Sequence, residues 1–227
     1  VLELIDATKS YEQGRRTVNA VRGVTMRVNI GEFVTIMGPS GSGKSTLMHL
    51  MGALDTPSSG RAVFHGQDLQ SMSDRQRSLL RRDRIGFVFQ AFNLLPTLTA
   101  AENVALPLLL GSTGRRAALV RAGECLERGG VAHRADHFPD EMSGGEMQRV
   151  AVARALIADP EAVLCDEPTG NLDTKTSREI LTLLSNLPEA GKRAVIMVTH
   201  DPNGAAFGTR LVKIRDGLLE TDEPVRR

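Results

Sequence analysis

The hydrophobic pattern divides this chain into short apolar runs separated by glycine-rich and charged segments. The runs have the length of strands and are rich in β-branched residues, which is typical of strands buried in a sheet. We predict strands at 1–5, 18–28, 33–37, 61–65, 85–89, 162–167 and 194–199. A final hairpin is predicted from 211–214 and 218–220, with Asp216-Gly217 at its turn.

Helical periodicity occurs between these runs. Just after residue 46, apolar residues recur with the spacing of one helix face, at Leu47, Leu50, Met51 and Leu54. Residues 91–140 are helical and loop-like, with breaks predicted at Pro96, Pro107, Gly111 and Gly114. A further helix is predicted over 150–157. We expect a helical insertion here and not a continuation of the sheet, and therefore an α/β protein.

The segment 75–84 is dense in arginine, which raises the question of nucleic-acid binding. Asp74 and Asp83 interleave with the arginines, and no aromatic residue alternates with them, so the pattern favours a solvated helix face. The net charge of +1 gives no reason to expect nucleic acid or an anionic membrane as a main partner.

Composition is that of an ordinary globular protein, with 41% hydrophobic and 24% charged residues. The two cysteines, Cys125 and Cys165, have neither metal-ligand spacing nor a disulfide pattern, which fits a reducing cytoplasm. The most apolar stretch, 104–110, is short and contains Pro107, whereas a membrane-spanning helix needs about 20 apolar residues. We expect a cytoplasmic protein that does not cross a bilayer by itself.

The strongest chemical signal directly follows the predicted strand 33–37. It fits the pattern of glycine, four free positions, glycine, lysine and serine or threonine, with the members Gly38, Pro39, Ser40, Gly41, Ser42, Gly43, Lys44, Ser45 and Thr46. Glycines let backbone N–H groups converge on phosphate oxygens, and the helix that follows adds its positive end. Lys44 is expected against the β- and γ-phosphates and Ser45 on Mg²⁺. The alternative is a flexible turn between strand and helix.

A second anion-binding helix start is predicted near residue 143. Ser143 and Glu146 have capping-box spacing, which predicts first of all the beginning of a helix. Gly144 and Gly145 leave backbone N–H groups bare at that point, which favours an anion there. A helix cap without a ligand is the alternative.

Polar residues end several apolar runs, on the sheet edge where ligands bind in parallel α/β folds. Beside a phosphate loop, Asp166 suits Mg²⁺ and Glu167 suits the attacking water. Gln90 is a candidate for the metal or the water, and His200 for the γ-phosphate. Each is otherwise a polar residue that leaves a strand. Tyr11, the only tyrosine, is a candidate to stack on a base, or else a half-exposed strand residue.

These residues together resemble the nucleotide-binding subunits of ATP-binding cassette (ABC) transporters over essentially the whole chain. The motifs follow that family's order and approximate spacing: 38–46, Gln90, Ser143-Gly144-Gly145, Asp166-Glu167, 170–173 and His200. The resemblance implies a P-loop NTPase (RecA-like) core with a mostly parallel sheet, an antiparallel β subdomain and an inserted helical subdomain. Within one domain over 1–227, the core and β subdomain would occupy 1–90 and 159–227, and the helical signature subdomain 91–158.

The resemblance also implies ligands, partners and roles. The catalytic residues would be Glu167, His200, Gln90 and Lys44, and the metal ligands Ser45, Gln90 and Asp166. Tyr11 would stack on adenine. Ser143 and Gly145 would bind the γ-phosphate held by the other subunit, and Asp173 would lie at the subunit boundary. ATP and Mg²⁺ are the expected ligands, and a second copy of the chain and an integral-membrane permease are the expected partners.

The signature departs from the family's usual form at two positions, where Met142 replaces leucine and Glu146 replaces glutamine. The glutamate and the segment 92–99 are similar to a branch that includes lipoprotein-release, macrolide-exporter and cell-division ATPases. The resemblance implies an ATPase on the inner face of the cell membrane that drives a permease for export or for lipid or lipoprotein extraction.

Three other functions compete with this one. A nucleotide-gated signalling module would move a membrane partner to activate an enzyme outside the membrane, without transport. DNA-repair and translation ATPases of the same superfamily usually carry two cassettes or a long coiled-coil insertion, which this sequence does not contain. A small-molecule kinase has no need of Ser143-Gly144-Gly145.

Overall fold

The computed structural model describes residues 1–14, 16–188 and 191–225. The strands are β1 Leu2–Gln13, β2 Arg16–Val28, β3 Phe33–Met37, β4 Ser59–Phe64, β5 Gln67–Asp68, β6 Ile85–Phe89, β7 Ala162–Asp166, β8 Ala194–Thr199, β9 Arg210–Arg215 and β10 Leu218–Pro224. The helices are α1 Lys44–Met51, α2 Asp74–Asp83, α3 Ala100–Leu109, α4 Arg115–Arg128, α5 Gly144–Leu156, α6 Thr174–Ser185 and α7 Pro202–Ala205. Short 3₁₀ turns cover Leu69–Ser71, Ala132–Arg134 and Pro139–Glu141.

One sheet of the described chain has the strand order β10-β9-β3-β8-β7-β6. All its neighbours run parallel except β9 and β10, which form the predicted hairpin. Asp216 and Gly217 both have positive φ in the hairpin turn, as a two-residue turn of the mirror-image type requires. The carboxyl ends of β3, β8, β7 and β6 therefore meet at one edge, and the predicted mostly parallel core is confirmed.

A second, antiparallel sheet has the order β2-β1-β4-β5. Strand β1 extends to Gln13, well beyond the predicted end at residue 5. Asp6 has a φ of 45°, and the register with β2 shifts between Leu4 and Ala7. This bulge interrupts the alternation of apolar and polar residues, and for that reason the pattern predicted only the first half of the strand.

The parallel sheet buries both faces, and successive residues of each strand alternate between them. One face packs on α1 and the antiparallel sheet, through residues that include Val34, Ile36, Leu164, Ile196 and Val198. The other packs on α5 and α6, through residues that include Phe33, Val163, Cys165, Val195 and Met197. Helices α1 and α5 therefore lie on opposite faces of the sheet.

A separate apolar cluster joins α3, α4 and α5. Its members include Ala100, Val104, Ala118, Ala122, Leu126, Val150 and Ala153. Pro107 lies inside α3 and does not break it, contrary to the prediction. Helix α5 begins at Gly144 with Ser143 as its N-cap, which confirms the helix start predicted from the capping-box spacing. None of the helices described is long and apolar enough to cross a membrane.

Two further helical predictions need correction. Leu54 was expected on the helix face after the phosphate loop, but α1 ends at Met51 and Leu54 is exposed. Helix α6 was not predicted at all, although Asp173 caps it by accepting from the N–H groups of Lys175 and Thr176.

The arginine-rich segment forms α2, which has no fully buried residue and pairs Arg77 with Asp74, as expected of a solvated face.

Candidate nucleotide-binding site

The glycine-rich loop after β3 leads directly into α1. Gly43 stands at the N-cap with a φ of 98°, and no side chain caps the helix. A Cβ atom at Gly43 would lie 2.1 Å from the carbonyl oxygen of Ala20, so no other residue fits without moving the backbone. The first N–H groups of α1 are consequently free of side-chain acceptors, which suits a phosphate.

The lysine of the loop is buried, with 7% of its surface exposed. Its Nζ donates to the carbonyl oxygens of Gly38 and Pro39, each at 2.9 Å. Both acceptors belong to the loop, and no carboxylate among the described residues pairs with this ammonium group. Its positive charge is available to an anion at the same place.

The turn of the final hairpin braces the loop, and β2 supports that turn. The N–H of Gly217, in the β9–β10 turn, donates to the carbonyl oxygen of Ser42 at 3.0 Å. The N–H of Arg22, in β2, donates in turn to the carbonyl oxygen of Gly217 at 2.8 Å. The loop conformation is therefore held by the antiparallel sheet and the final hairpin as well as by its own glycines.

Ser45 and Asp166 place two side-chain oxygen atoms next to each other. The Ser45 Oγ donates to Asp166 Oδ1 at 3.2 Å, which joins the start of α1 to the end of β7. Burial raises the pKa of Asp166, although the Ser45 hydrogen bond and the charges of His49 and Lys44 act in the opposite direction. Mg²⁺ is usually held by one or two carboxylates together with substrate phosphates. This donor set fits Mg²⁺.

Glu167 follows β7 in a left-handed conformation, with a φ of 48°. Its N–H donates to the Val198 carbonyl oxygen at 3.0 Å, which ties the residue to β8. Its Oε1 lies 2.9 Å from the Nδ1 of His200, which follows β8. Both side chains line a cavity of about 610 Å³. The unusual backbone turn thus brings the two predicted residues into contact at the carboxyl edge.

Gln90 lies at the same edge but contacts a partner that the sequence did not predict. Its Nε2 donates to Asn171 Oδ1 at 3.1 Å, and Asn171 Nδ2 donates back to the Gln90 carbonyl oxygen at 3.1 Å. The chain then turns through Phe92 and Asn93, both with positive φ. Arg154 of α5 donates to the carbonyl oxygens of these two residues.

The second predicted anion site is a complete capping box at the start of α5. Ser143 Oγ accepts from the Glu146 N–H at 3.3 Å, and the Glu146 carboxylate accepts from the Ser143 N–H at 2.8 Å. A Cβ atom at Gly145 would lie 2.5 Å from Thr176 Cγ2. Thr176 is bonded to Asp173, so the signature packs against the start of α6 and not against the phosphate loop.

Tyr11 lies on β1 and is partly exposed. Its hydroxyl donates to Asp55 Oδ2 at 2.9 Å, and Lys9 Nζ lies 5.1 Å from the ring centre. Burial, followed by the hydrogen bond to Asp55, raises the pKa of Tyr11. The ring is anchored at its hydroxyl, and stacking on adenine stays a prediction.

The loop, the buried lysine and the Ser45–Asp166 and Glu167–His200 pairs define a P-loop ATPase. A profile of the ABC transporter family matches residues 21–170. An uncharacterized ABC transporter ATP-binding protein of Thermotoga maritima is 50% identical over 220 residues, covering 97% of this chain and 94% of that protein. The chain belongs to the ABC transporter family.

Two further relatives extend the comparison. The macrolide export ATP-binding/permease protein MacB of Syntrophobacter fumaroxidans is 46% identical over 224 residues. The match covers 98% of this chain and 31% of that protein, so the chain spans about a third of the length of this relative. The cassette MJ0796 of Methanocaldococcus jannaschii, solved as a post-hydrolysis dimer bound to ADP and Pi, has a TM-score of 0.93 at 43% identity, with 100% of both chains covered.

Proposed function

We propose that this chain is the ATP-hydrolysing subunit of a transporter, in which two copies close around two ATP molecules and drive a membrane permease. The permease would use this motion for export or for lipid or lipoprotein extraction. In this proposal the phosphate loop of one copy and Ser143, Gly144 and Gly145 of the other hold the same nucleotide, and the pair works on the cytoplasmic face of the membrane.

The observation that carries this proposal is that α1 and α5, whose starts are both predicted to bind anions, lie on opposite faces of one sheet. Helix α1 packs on the face that includes Val34 and Ile36, whereas α5 packs on the face that includes Val163 and Cys165. One γ-phosphate cannot meet both helix starts of the same chain. A second copy, placed head to tail, brings its α5 to the phosphate held by the first, and the twofold arrangement closes after two chains.

The residues at the sheet edge divide the chemistry between them. Lys44 and the loop N–H groups bind and orient the phosphates, and Glu167 positions the attacking water. His200 contacts Glu167 and holds that carboxylate in place, and in this proposal it also binds the γ-phosphate. Mg²⁺, held by Ser45 and Asp166 with Gln90 beside them, would neutralise developing charge on the phosphates. Tyr11 stacks on adenine, and Asp173 lies at the boundary between the copies.

The helical part, 91–158, is proposed to contact the permease. A groove of about 270 Å³ opens beside the loop after Gln90, and its walls include Arg81, Arg82, Phe87 and Phe89. Arg154 borders this groove and also bonds that loop. A permease segment with apolar and acidic side chains fits these walls, and its movement would shift the loop after Gln90 and so change the position of Gln90.

The substitution Glu167→Gln tests the catalytic assignment. The amide still reaches His200 but can no longer accept a proton or orient water as a carboxylate does, so turnover should fall roughly 10²- to 10⁴-fold. The variant should still bind ATP and form a dimer, measured by size-exclusion chromatography with multi-angle light scattering. Steady-state hydrolysis equal to that of the unmodified chain would refute the role of Glu167.

A mixing experiment tests the shared site. Lys44→Met removes the phosphate-loop charge, and Gly144→Asp places a carboxylate where the partner's phosphate would lie. The Gly144 position tolerates a side chain, because an added Cβ meets only ordinary contacts, and an acidic residue suits a helix start. Each variant alone should be inactive. A mixture forms heterodimers with one intact composite site, and activity should return to roughly a quarter of the normal rate. If the mixture recovers neither ATP hydrolysis nor ATP occlusion, the shared site is contradicted.

Transport and signalling are separated with the permease present. The co-purified complex in vesicles should move or extract a substrate when ATP is added. ATP-dependent activation of an enzyme on the far side, without movement of any substrate, would instead support the signalling function.

A further inference from the structure

The Glu146 carboxylate, in the first turn of α5, is the meeting point of several donors. Its Oε1 accepts from Arg134 Nε at 2.7 Å and lies 3.3 Å from His133 Nε2. Its Oε2 accepts from the N–H and the hydroxyl of Ser143, each at 2.8 Å. These contacts lower the pKa of Glu146 to about 2, and the Arg134 hydrogen bond is the largest cause. The residue is therefore an anion at neutral pH.

An anion at this position is a problem for the proposed site. Ser143 and Gly145 form the helix start that would receive the partner's γ-phosphate, and an uncompensated carboxylate one turn away would repel it. Arg134 lies in the 3₁₀ turn between α4 and α5, where its N–H donates to the Val131 carbonyl oxygen. Among the described residues, the guanidinium group of Arg134 bonds Glu146 alone. The arginine is thus placed to cancel this one charge.

We propose that Arg134 is a positioning residue for the signature helix: it neutralises Glu146 and holds the carboxylate in the Ser143 cap, so that the start of α5 still accepts a phosphate from the second copy. His133 adds a second donor from the same turn. This inference rests on the proposed ATP-sandwich dimer, and it deepens that proposal by making a segment outside the signature part of the second half-site.

The proposal makes Arg134 necessary only while residue 146 carries a charge. Glutamine at 146 keeps the oxygen that accepts from the Ser143 N–H, since a capping box works with either residue. It removes the charge that Arg134 offsets. The effects of the two positions should therefore be strongly non-additive.

A double-mutant cycle tests this dependence in the Glu167→Gln background, where the ATP concentration that half-saturates dimer formation can be measured. Arg134→Met should raise that concentration roughly tenfold or more, because one charge-assisted hydrogen bond is lost. Glu146→Gln should stay near the parent value, and Arg134→Met/Glu146→Gln should return to it. Arg134→Lys, which keeps the charge but not the guanidinium geometry, should fall between parent and Arg134→Met. In the hydrolysing background, the loss should appear in KM and not in kcat.

Arg149→Met is the matched control. Arg149 is also a partly buried arginine at this helix, but it bonds Glu179 and the Gly129 carbonyl oxygen. Any loss that it causes should persist when Glu146→Gln is added. Thermal melting of each variant identifies a general loss of fold, which Glu146→Gln would not repair.

The outcomes separate the two proposals. If the parent chain itself never dimerises with ATP, the proposed function fails, whatever Arg134 does. If the parent dimerises but Arg134→Met does so equally well, or Glu146→Gln leaves the defect of Arg134→Met unchanged, the role of Arg134 is overturned and the dimer stands. Nucleotide affinity of the isolated chain should be the same in every variant, because α1, which follows the phosphate loop, lies on the opposite face of the sheet from α5.

Discussion

The two helix starts that we propose to bind phosphate differ in how their N–H groups are satisfied. Helix α1 has a glycine N-cap, no side-chain cap and no acidic residue in its first turn. Helix α5 has a serine N-cap, a complete capping box and Glu146 in its first turn. An open start beside a buried lysine can bind a phosphate within one chain. A capped start has fewer free N–H groups, and in our proposal it contacts phosphate only when a second copy holds the nucleotide. The two helix starts would therefore have different roles: α1 binds nucleotide in the single chain, and α5 contacts it only in the dimer.

The largest expected effect is on the open start. Lys44→Met removes the ammonium group that lies in the phosphate loop, and nucleotide affinity of the isolated chain should fall roughly 10- to 100-fold. Isothermal titration calorimetry measures this directly. Ser143→Ala is the matched change at the capped start; it should cost about 1 kcal/mol of stability and leave the affinity of the single chain unchanged. Equal losses of affinity in both variants would remove the contrast.

Arg154 connects α5 to the loop after β6, and its loss should have the next largest effect. In Arg154→Met the carbonyl oxygens of Phe92 and Asn93 lose their donor, so the free energy of unfolding should fall by about 1–3 kcal/mol. Hydrogen exchange should rise in 91–94 and leave the phosphate loop unaffected. Arg154→Lys can serve one carbonyl at a time and should be intermediate. Unchanged exchange in 91–94 would mean that α5 does not hold this loop.

Substitution by alanine should change the free energy of unfolding in opposite directions at Gly145 and Gly144. A Cβ at Gly145 would clash with Thr176 Cγ2, at 2.5 Å, whereas one at Gly144 would meet Leu172 at 3.5 Å. Gly145→Ala should lower the free energy of unfolding by about 1–2 kcal/mol. Gly144→Ala should raise it by up to about 1 kcal/mol, because alanine is the better helix residue. Chemical denaturation measures both changes.

A second substitution identifies the cause of the Gly145 effect. Thr176→Ser removes Cγ2 and keeps the hydroxyl that donates to Asp173 at 2.6 Å. Adding it to Gly145→Ala should recover most of the lost stability. A double variant as unstable as Gly145→Ala alone would show that some contact other than Thr176 excludes a side chain there.

The smallest effect concerns the charge of Asp166. Burial raises its pKa above the ordinary value of 3.8, so ionised Asp166 costs folding free energy. Asp166→Asn should raise the melting temperature of the nucleotide-free protein at neutral pH by on the order of 2 °C. The folded carboxyl holds its proton to higher pH than the unfolded one. The gain should therefore be complete above the raised pKa and disappear as the pH falls below about 3.8.

Asp173 is the control with the opposite sign. Hydrogen bonds from Thr176 lower its pKa, so its ionised form stabilises the start of α6, and Asp173→Ala should lower the melting temperature at neutral pH. Mg²⁺ and nucleotide together should stabilise the unmodified protein more than Asp166→Asn. A lower melting temperature for nucleotide-free Asp166→Asn would contradict the cost assigned to this carboxylate.

Local patterns predicted much of the fold. The buried strands β3, β6, β7 and β8 were found because each is a continuous apolar run, and the last hairpin because of Asp216-Gly217. Features that depend on distant contacts were not predicted. The far half of β1 was lost at the Asp6 bulge, and Pro107 was tolerated within α3. Helix α6 was missed for a different reason, because Asp173 and Thr176 have the local spacing of a helix cap and that signal was not used.

The candidate site was predicted as a set of residues at one sheet edge, but not as a set of pairs. Glu167 meets His200 at the ends of the neighbouring strands β7 and β8, whereas Ser45, in the first turn of α1, meets Asp166 at the end of β7. Gln90 bonds Asn171, and Arg154 bonds the loop after Gln90. Both contacts join segments that are distant in sequence, so the local hydrophobic pattern could not predict them. The opposite placement of α1 and α5 likewise follows only from the assembled sheet.

Strand β3, which carries the phosphate loop, lies between β8 and β9, and the loop itself is bonded by the turn that follows β9. The ribosome synthesises β3 well before β8 and β9, which come much later in the sequence. During synthesis β3 therefore has no hydrogen-bonded neighbour in its sheet until β8 has been made, and a chain that stops before the final hairpin lacks the Gly217 N–H that braces the phosphate loop.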